Sequence, residues 1–231
     1  MAPTIVTAAL GAILAAALLG AAFDRRSVAI VTAAAVVPDL DAITSLAVQS
    51  GTNAVLHNAW IPLAIGVVLY WDTSRDDSWL RTQYGWYGIR VAWVSLAAFL
   101  VVGIGVDLFG ESGVNLLYPF HDAFYRIDGR FLYSTQRGIV QTYVGWGDGT
   151  LGPLAIDNPG TTATYHVSTW VTPEPDVGLS ADVDREVTIV ETGWQVVLIV
   201  SSVALLAVRF TESWLEKRKH NGTIGSDRGD R

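Results

Sequence analysis

Five long apolar stretches, at residues 4–22, 28–48, 55–71, 89–109 and 194–210, dominate this chain of 231 residues. Each is about long enough to cross roughly 30 Å of hydrocarbon. They predict a helical membrane protein with about five transmembrane helices. Composition agrees, with 51% apolar and 16% charged residues against roughly a quarter charged in soluble domains. The first stretch has no positive charge before its core, while Arg25 and Arg26 follow it. That order fits a retained helix rather than a cleaved signal peptide.

Basic residues orient the five stretches. Arg25 and Arg26 join the first two; Arg75, Arg81 and Arg90 lie between or at the ends of the third and fourth; Arg209, Lys217, Arg218 and Lys219 follow the fifth. With the N-terminus outside, all three groups fall on the inner side. The expected location is the plasma membrane, with a disordered cytoplasmic tail at 213–231. Its Asn-Gly-Thr sequon, at Asn221, is then a chance match, on the wrong side for glycosylation. Trp60, Tyr70, Trp71, Trp86, Tyr87, Trp194 and Trp214 sit near segment ends, where amphipathic rings meet the lipid interface.

The domain organisation read this way is a four-helix membrane region at 1–109, an outer segment at 110–191, a fifth helix at 192–212 and the tail. The outer segment is too long to be a mere connection. Its "GIVQTYVGW", "TTATYHVSTWVT" and "REVTIVET" are rich in strand formers, with "GWGDGTLG", "DNPG" and "PEPDVG" as turns. A small β-rich outer subdomain of three to five strands is expected.

The chain carries a formal charge of −7, which argues against a nucleic-acid partner. Abundant Asp with only two lysines looks like adaptation to high salt. Cysteine is absent, so a metal would be held by oxygen and imidazole.

"VVPDLDAI", residues 36–43, places two carboxylates and a proline inside an apolar run. A charge at mid-membrane costs roughly 2.5–3.5 kcal/mol on insertion scales. Pro38 predicts a break or kink in the second helix, tolerated only where protein or a water-filled cavity covers the freed backbone groups. In the predicted topology Asp39, Asp41, His57 and Asp107 reach a similar depth on the outer side. A divalent cation held by these four would neutralise the acids. The competing readings are that Asp39 and Asp41 only cap a half-helix, that His57 is simply packed or solvated, and that Asp107 ends its helix. His121 and Asp122, adjacent in the outer segment, read either as a general acid/base pair or as a surface loop.

Together "PDLDAI", "LHNAW" and "GVDLFGESGVNLLYPF" resemble the YdjM-like family of small membrane-bound metal-dependent hydrolases. The likeness covers roughly residues 36–120. It implies Asp39 and Asp41 as the family's paired acids, His57 as the second histidine of its central motif with Asn58 in place of serine, and Asp107 as the acid of its third motif. Three family histidines are missing: Thr52 and Gly103 stand where two would fall, and no histidine precedes His57. His121 or His166 of the outer segment would have to replace them. Two functions are therefore open: hydrolysis of an ester or phosphoester, with a lipid as one substrate, aided by a zinc, manganese or magnesium ion; or a catalytically degenerate scaffold with a structural ion site. An ion-coupled transporter fits broken helices with intramembrane acids, but five segments without an internal repeat fit it less well.

Overall fold

The computed structural model describes residues 2–127, 129, 131–142, 156–175 and 183–226. Five long helical segments account for the apolar stretches. The first, α1 (Thr4–Leu18), stops short of residue 22 because Gly20 adopts φ +55°, and a 3-10 turn at Gly20–Ala22 reverses the chain. α2 (Arg25–Val36) starts three residues before the second apolar stretch and covers its first nine residues. Asp24 accepts the Ser27 N–H at 2.7 Å while the Ser27 hydroxyl receives the Asp24 N–H at 2.9 Å, a reciprocal cap that satisfies two otherwise free donors.

Pro38 breaks the helix as expected. A 3-10 turn at Val37–Leu40 follows α2, and a single turn, α3 (Asp41–Thr44), follows that. The third apolar stretch becomes helical only at Trp60, giving α4 (Trp60–Thr73). Residues 51–59 stay irregular, because Asp41 takes the N–H groups of Leu56 and His57 that a helix would need. Asn58 then accepts the N–H groups of Trp60 and Ile61 at 3.0 and 3.1 Å and starts α4.

α5 (Trp79–Ala97) is interrupted at Gly85, whose φ of +63° no helix permits. It continues through a π-helical segment, Ala98–Ile104, into α6 (Gly105–Leu108). Such π segments are rare and recur at functional sites; this one lies against the Pro38 break. α7 (Gly193–Ser226) runs on through the tail expected to be disordered from residue 213. Residues 227–231 of that tail lie outside the described residues.

Three of these helices, Arg25–Thr44, Trp79–Leu108 and Gly193–Leu215, are long and apolar enough to cross a membrane by length and composition. α1 and α4 are apolar but shorter, at 15 and 14 residues, about 21–23 Å of helical rise. The expectation of five full spans is thus corrected to three long helices and two short ones.

α1, α2 and the α5 segment pack around Ala15, Ala16, Val31, Ala35, Val94 and Ala98. Small residues bring the backbones close: a Cβ on Gly11 would stand 2.7 Å from Ala35 Cβ, the kind of contact that associates helices where lipid supplies no hydrophobic drive. α7 joins through Ser202, whose hydroxyl donates to the Ala9 carbonyl at 3.0 Å, and through Phe210 on Phe23.

The outer segment is less regular than expected. Among the described residues it contains a hairpin, β2 (Phe131–Ser134) with β3 (Gly138–Gln141), and a two-residue antiparallel pair, β1 (Arg126–Ile127) with β4 (Ile156–Asp157). "TTATYHVSTWVT" and the described "REVTIVET" form no strands. In the former, the Thr164 hydroxyl accepts the Thr161 N–H, the Thr169 hydroxyl accepts the Thr172 N–H, and His166 Nε2 lies 2.9 Å from the Thr172 carbonyl. Side chains that bond the backbone in this way compete with a strand ladder. The expected strand and turn residues at 143–155 and the end of "PEPDVG" lie outside the described residues.

Candidate metal centre

The helix hairpins bring to one end of the bundle the start of α1, the break after α2, the loop before α4 and the end of the α5–α6 segment. Asp39 comes from the break, His57 from the loop and Asp107 from α6. Their relative exposures are 6%, 0% and 3%. One ligand atom from each lies within 4.8 Å of the others, a separation that a single cation with ligands near 2–2.6 Å can bridge. The reading of His57 as a solvated residue is thereby excluded.

Hydrogen bonding leaves this cluster incomplete. His57 Nε2 lies 3.2 Å from Asp107 Oδ2, yet neither His57 Nε2 nor Asp39 Oδ2 has a hydrogen-bond partner, and both are buried. Buried polar atoms in native proteins are nearly always partnered. Asp39 Oδ2 without a hydrogen bond, and His57 Nε2 held only by its 3.2 Å contact with Asp107, stand at ligand spacing and fit a bound cation in both geometry and chemistry.

Asp41 stands one step back from the cluster. Its Oδ2 lies 2.9 Å from His57 Nδ1 and accepts the His57 N–H at 3.2 Å; its Oδ1 accepts the Leu56 N–H at 2.7 Å and the Thr44 hydroxyl at 3.2 Å. Both oxygens are occupied, so Asp41 is placed to orient the imidazole rather than to join Asp39, His57 and Asp107. Carboxylate–histidine pairs of this kind fix the tautomer and ring orientation of metal-binding histidines.

Other support is hard to read from sequence. The Ala2 N–H donates to Asp107 Oδ1 at 2.7 Å, and Thr4 and Thr7 of α1 present their hydroxyls to Asp39. The three-residue spacing of Thr4 and Thr7 puts both on one helix face, a signal present in the Ala-rich first stretch. Gly103, where the resembled family has a histidine, packs on the break itself. A Cβ there would lie 2.6 Å from Pro38 Cγ and 2.8 Å from the Ala35 carbonyl oxygen. Thr52, at the second missing histidine, is fully buried with its hydroxyl unpartnered.

The His121–Asp122 pair makes other contacts. His121 is exposed and its ring stacks on Tyr125 at 6.2 Å. Asp122 is bound by the Thr162 hydroxyl at 2.7 Å, the Thr162 N–H at 3.0 Å and the Asn115 amide at 2.7 Å. Asn115 in turn donates its N–H to the Asn53 carbonyl at 2.8 Å, so Asp122 ties the outer segment to the His57 loop. His166 contacts Thr172 and Ser50. Among the described residues neither His121 nor His166 shares a hydrogen bond or ion pair with the cluster, so neither replaces a missing family histidine.

Compared with known proteins, the chain matches no family model, no curated protein and no solved structure.

Proposed function

We propose that this chain is a multi-pass protein of the plasma membrane that holds a divalent cation through Asp39, His57 and Asp107 and hydrolyses an ester or phosphoester, in line with the YdjM-like resemblance. The observation that carries the reading is the buried convergence of these three side chains, with Asp39 Oδ2 and His57 Nε2 making no hydrogen bond. Zinc, manganese and magnesium all suit two carboxylates and an imidazole.

A membrane setting is supported by the apolar surface left bare on α4 and α7, where Leu63, Val67, Val68, Val197, Val200 and Val203 are all more than half exposed. Such continuous apolar faces are unusual on a soluble monomer. The cluster end of the bundle faces outward in this reading. Arg25, Arg75, Arg81 and Arg209 lie towards the opposite end, which is cytoplasmic in this reading.

Asp41 holds His57 Nδ1, which leaves Nε2 directed at the ion position. The Ala2 N–H occupies one oxygen of Asp107 and leaves the other towards His57. A divalent cation bound there supplies Lewis-acid activation of water and of an ester oxygen. Asp39, His57 and Asp107 are all buried, which limits the contact of bulk water with the cluster.

A second reading, a structural ion site on a scaffold without catalysis, is favoured by the close Gly103–Pro38 packing, which leaves no room for the family's additional imidazole. One experiment separates the two. Purified protein should carry about one divalent ion, the Asp39→Asn/Asp41→Asn double variant should carry none, and Asp41→Asn alone should weaken metal affinity about 10–100-fold. Hydrolysis of any member of a broad ester and phosphoester panel that is lost in His57→Ala supports the enzyme. A metal-loaded protein inert on the whole panel supports the scaffold.

A further inference from the structure

Two cavities flank the cluster. The first, of about 1110 Å³, is walled by Val6, Leu10, Leu100, Ile104, Phe109 and Leu198, and Asp107 and Gln195 also line it. Its volume is slightly above the range of small-molecule sites, roughly 300–1,000 Å³. The second, of about 720 Å³, is lined by Asp39 together with Asp184, Glu186, Glu191 and the exposed ring of Trp170. No Arg or Lys is among the described residues lining it. Ala2, Ser168 and Glu191 border both cavities, so the two adjoin beside the cluster. Asp39, buried and with Oδ2 unpartnered, belongs to the acidic cavity as well as to the candidate metal centre.

The geometry points to a single site for a zwitterionic phospho-amine amphiphile: hydrocarbon chain in the first cavity, phosphate on the cation that Asp39, His57 and Asp107 would hold, and ammonium against Asp184, Glu186, Glu191 and Trp170. The inference rests on the metal reading above and adds to it the class of molecule bound. Each part answers a different surface. An alkyl chain suits walls of Val, Leu, Ile and Phe. A phosphate suits a divalent ion whose three protein ligands, two carboxylates and an imidazole, leave further positions for oxygen. An ammonium group suits an acidic wall with an indole ring, which attracts cations through its negative face. A simple anionic amphiphile would leave three carboxylates of the second cavity unmatched, and a neutral one would leave both the ion and the acids unmatched.

The test uses full-length protein held in an amphipol free of phosphate head groups and loaded with Mn²⁺, whose binding is followed by electron paramagnetic resonance. Hexyl-, octyl- and decyl-phosphocholine are added below their micellar concentrations, and ³¹P relaxation is the binding readout. Strong Mn²⁺ enhancement of ³¹P relaxation is expected, with affinity rising about tenfold for each two methylenes added. Leu198→Trp should abolish the chain-length dependence while Mn²⁺ affinity holds. Gly105→Leu is a second block, since a Cβ there meets only the Leu100 carbonyl oxygen at 3.5 Å. Asp184→Asn/Glu186→Gln should weaken octylphosphocholine about fivefold and leave octyl phosphate unchanged. Failure to bind Mn²⁺ would refute the metal reading and the phosphate placement with it. Normal Mn²⁺ binding without chain-length dependence, or equal competition by octyl maltoside, would overturn the amphiphile alone.

Discussion

His57 and His121 each have an aspartate close by, yet the two pairs have opposite characters. His121 and Asp122 are neighbours in sequence, and the histidine is exposed while the aspartate is consumed by Thr162 and Asn115. His57 meets Asp41 and Asp107, which lie 16 and 50 residues away, and all three are buried. Adjacency in sequence therefore produced a tether, while distant residues folded into one place produced a group with unsatisfied ligand atoms. Burial and unmet hydrogen bonds, rather than residue type, separate the two groups.

Substitutions at the two pairs sharpen the contrast. His57→Ala should have the largest effect: it leaves Asp41 and Asp107 buried without their partner, costing about 3–5 kcal/mol in unfolding measurements, and it should abolish metal binding. Asp122→Ala should cost about 1–3 kcal/mol, since it frees the Thr162 N–H and hydroxyl and the Asn115 amide, while metal binding persists. Asp122 also predicts a pH dependence. Burial pushes its carboxyl up, but the Thr162 and Asn115 hydrogen bonds outweigh this and hold it below the usual range. A lowered folded-state value means stability that is present above the ordinary carboxylate pKa of about 3.9 and is lost as pH falls through the folded value. Unfolding titrated from pH 5 downward should therefore show an acid limb in the native protein that is reduced in Asp122→Ala. The smallest effect belongs to His121→Ala, at about 0.5 kcal/mol or less, as for exposed positions generally. A loss of metal binding in either outer-segment variant would break the contrast.

Much of the fold was legible where one residue acts alone. Pro38 marked the break because its ring and missing N–H act locally, and the apolar stretches located all five helices. Helix ends were less legible, because they depend on partners elsewhere. Asp41 holds residues 56 and 57 out of α4, Gly20 and Gly85 take positive φ, and neither effect alters hydropathy. The Thr-rich outer stretches carried β propensity, which is context-dependent, and their hydroxyls bonded the backbone locally instead. At the candidate centre, Asp39, His57 and Asp107 could be picked out from polarity and depth. The separate role of Asp41 could not, because it depends on which imidazole nitrogen the carboxylate reaches.

The central claim is that a cation compensates the buried acids, and thermal unfolding with and without chelator tests it most directly. An ion present at about a hundredfold over its dissociation constant adds about 2.7 kcal/mol, so chelation of the native protein should lower the unfolding temperature by about 5–10 °C. Asp39→Asn should blunt that shift, because less uncompensated charge remains when the ion is removed. An unfolding temperature that chelator leaves unchanged, with Asp39→Asn costing no more than the ~1 kcal/mol of an ordinary substitution, would contradict the account.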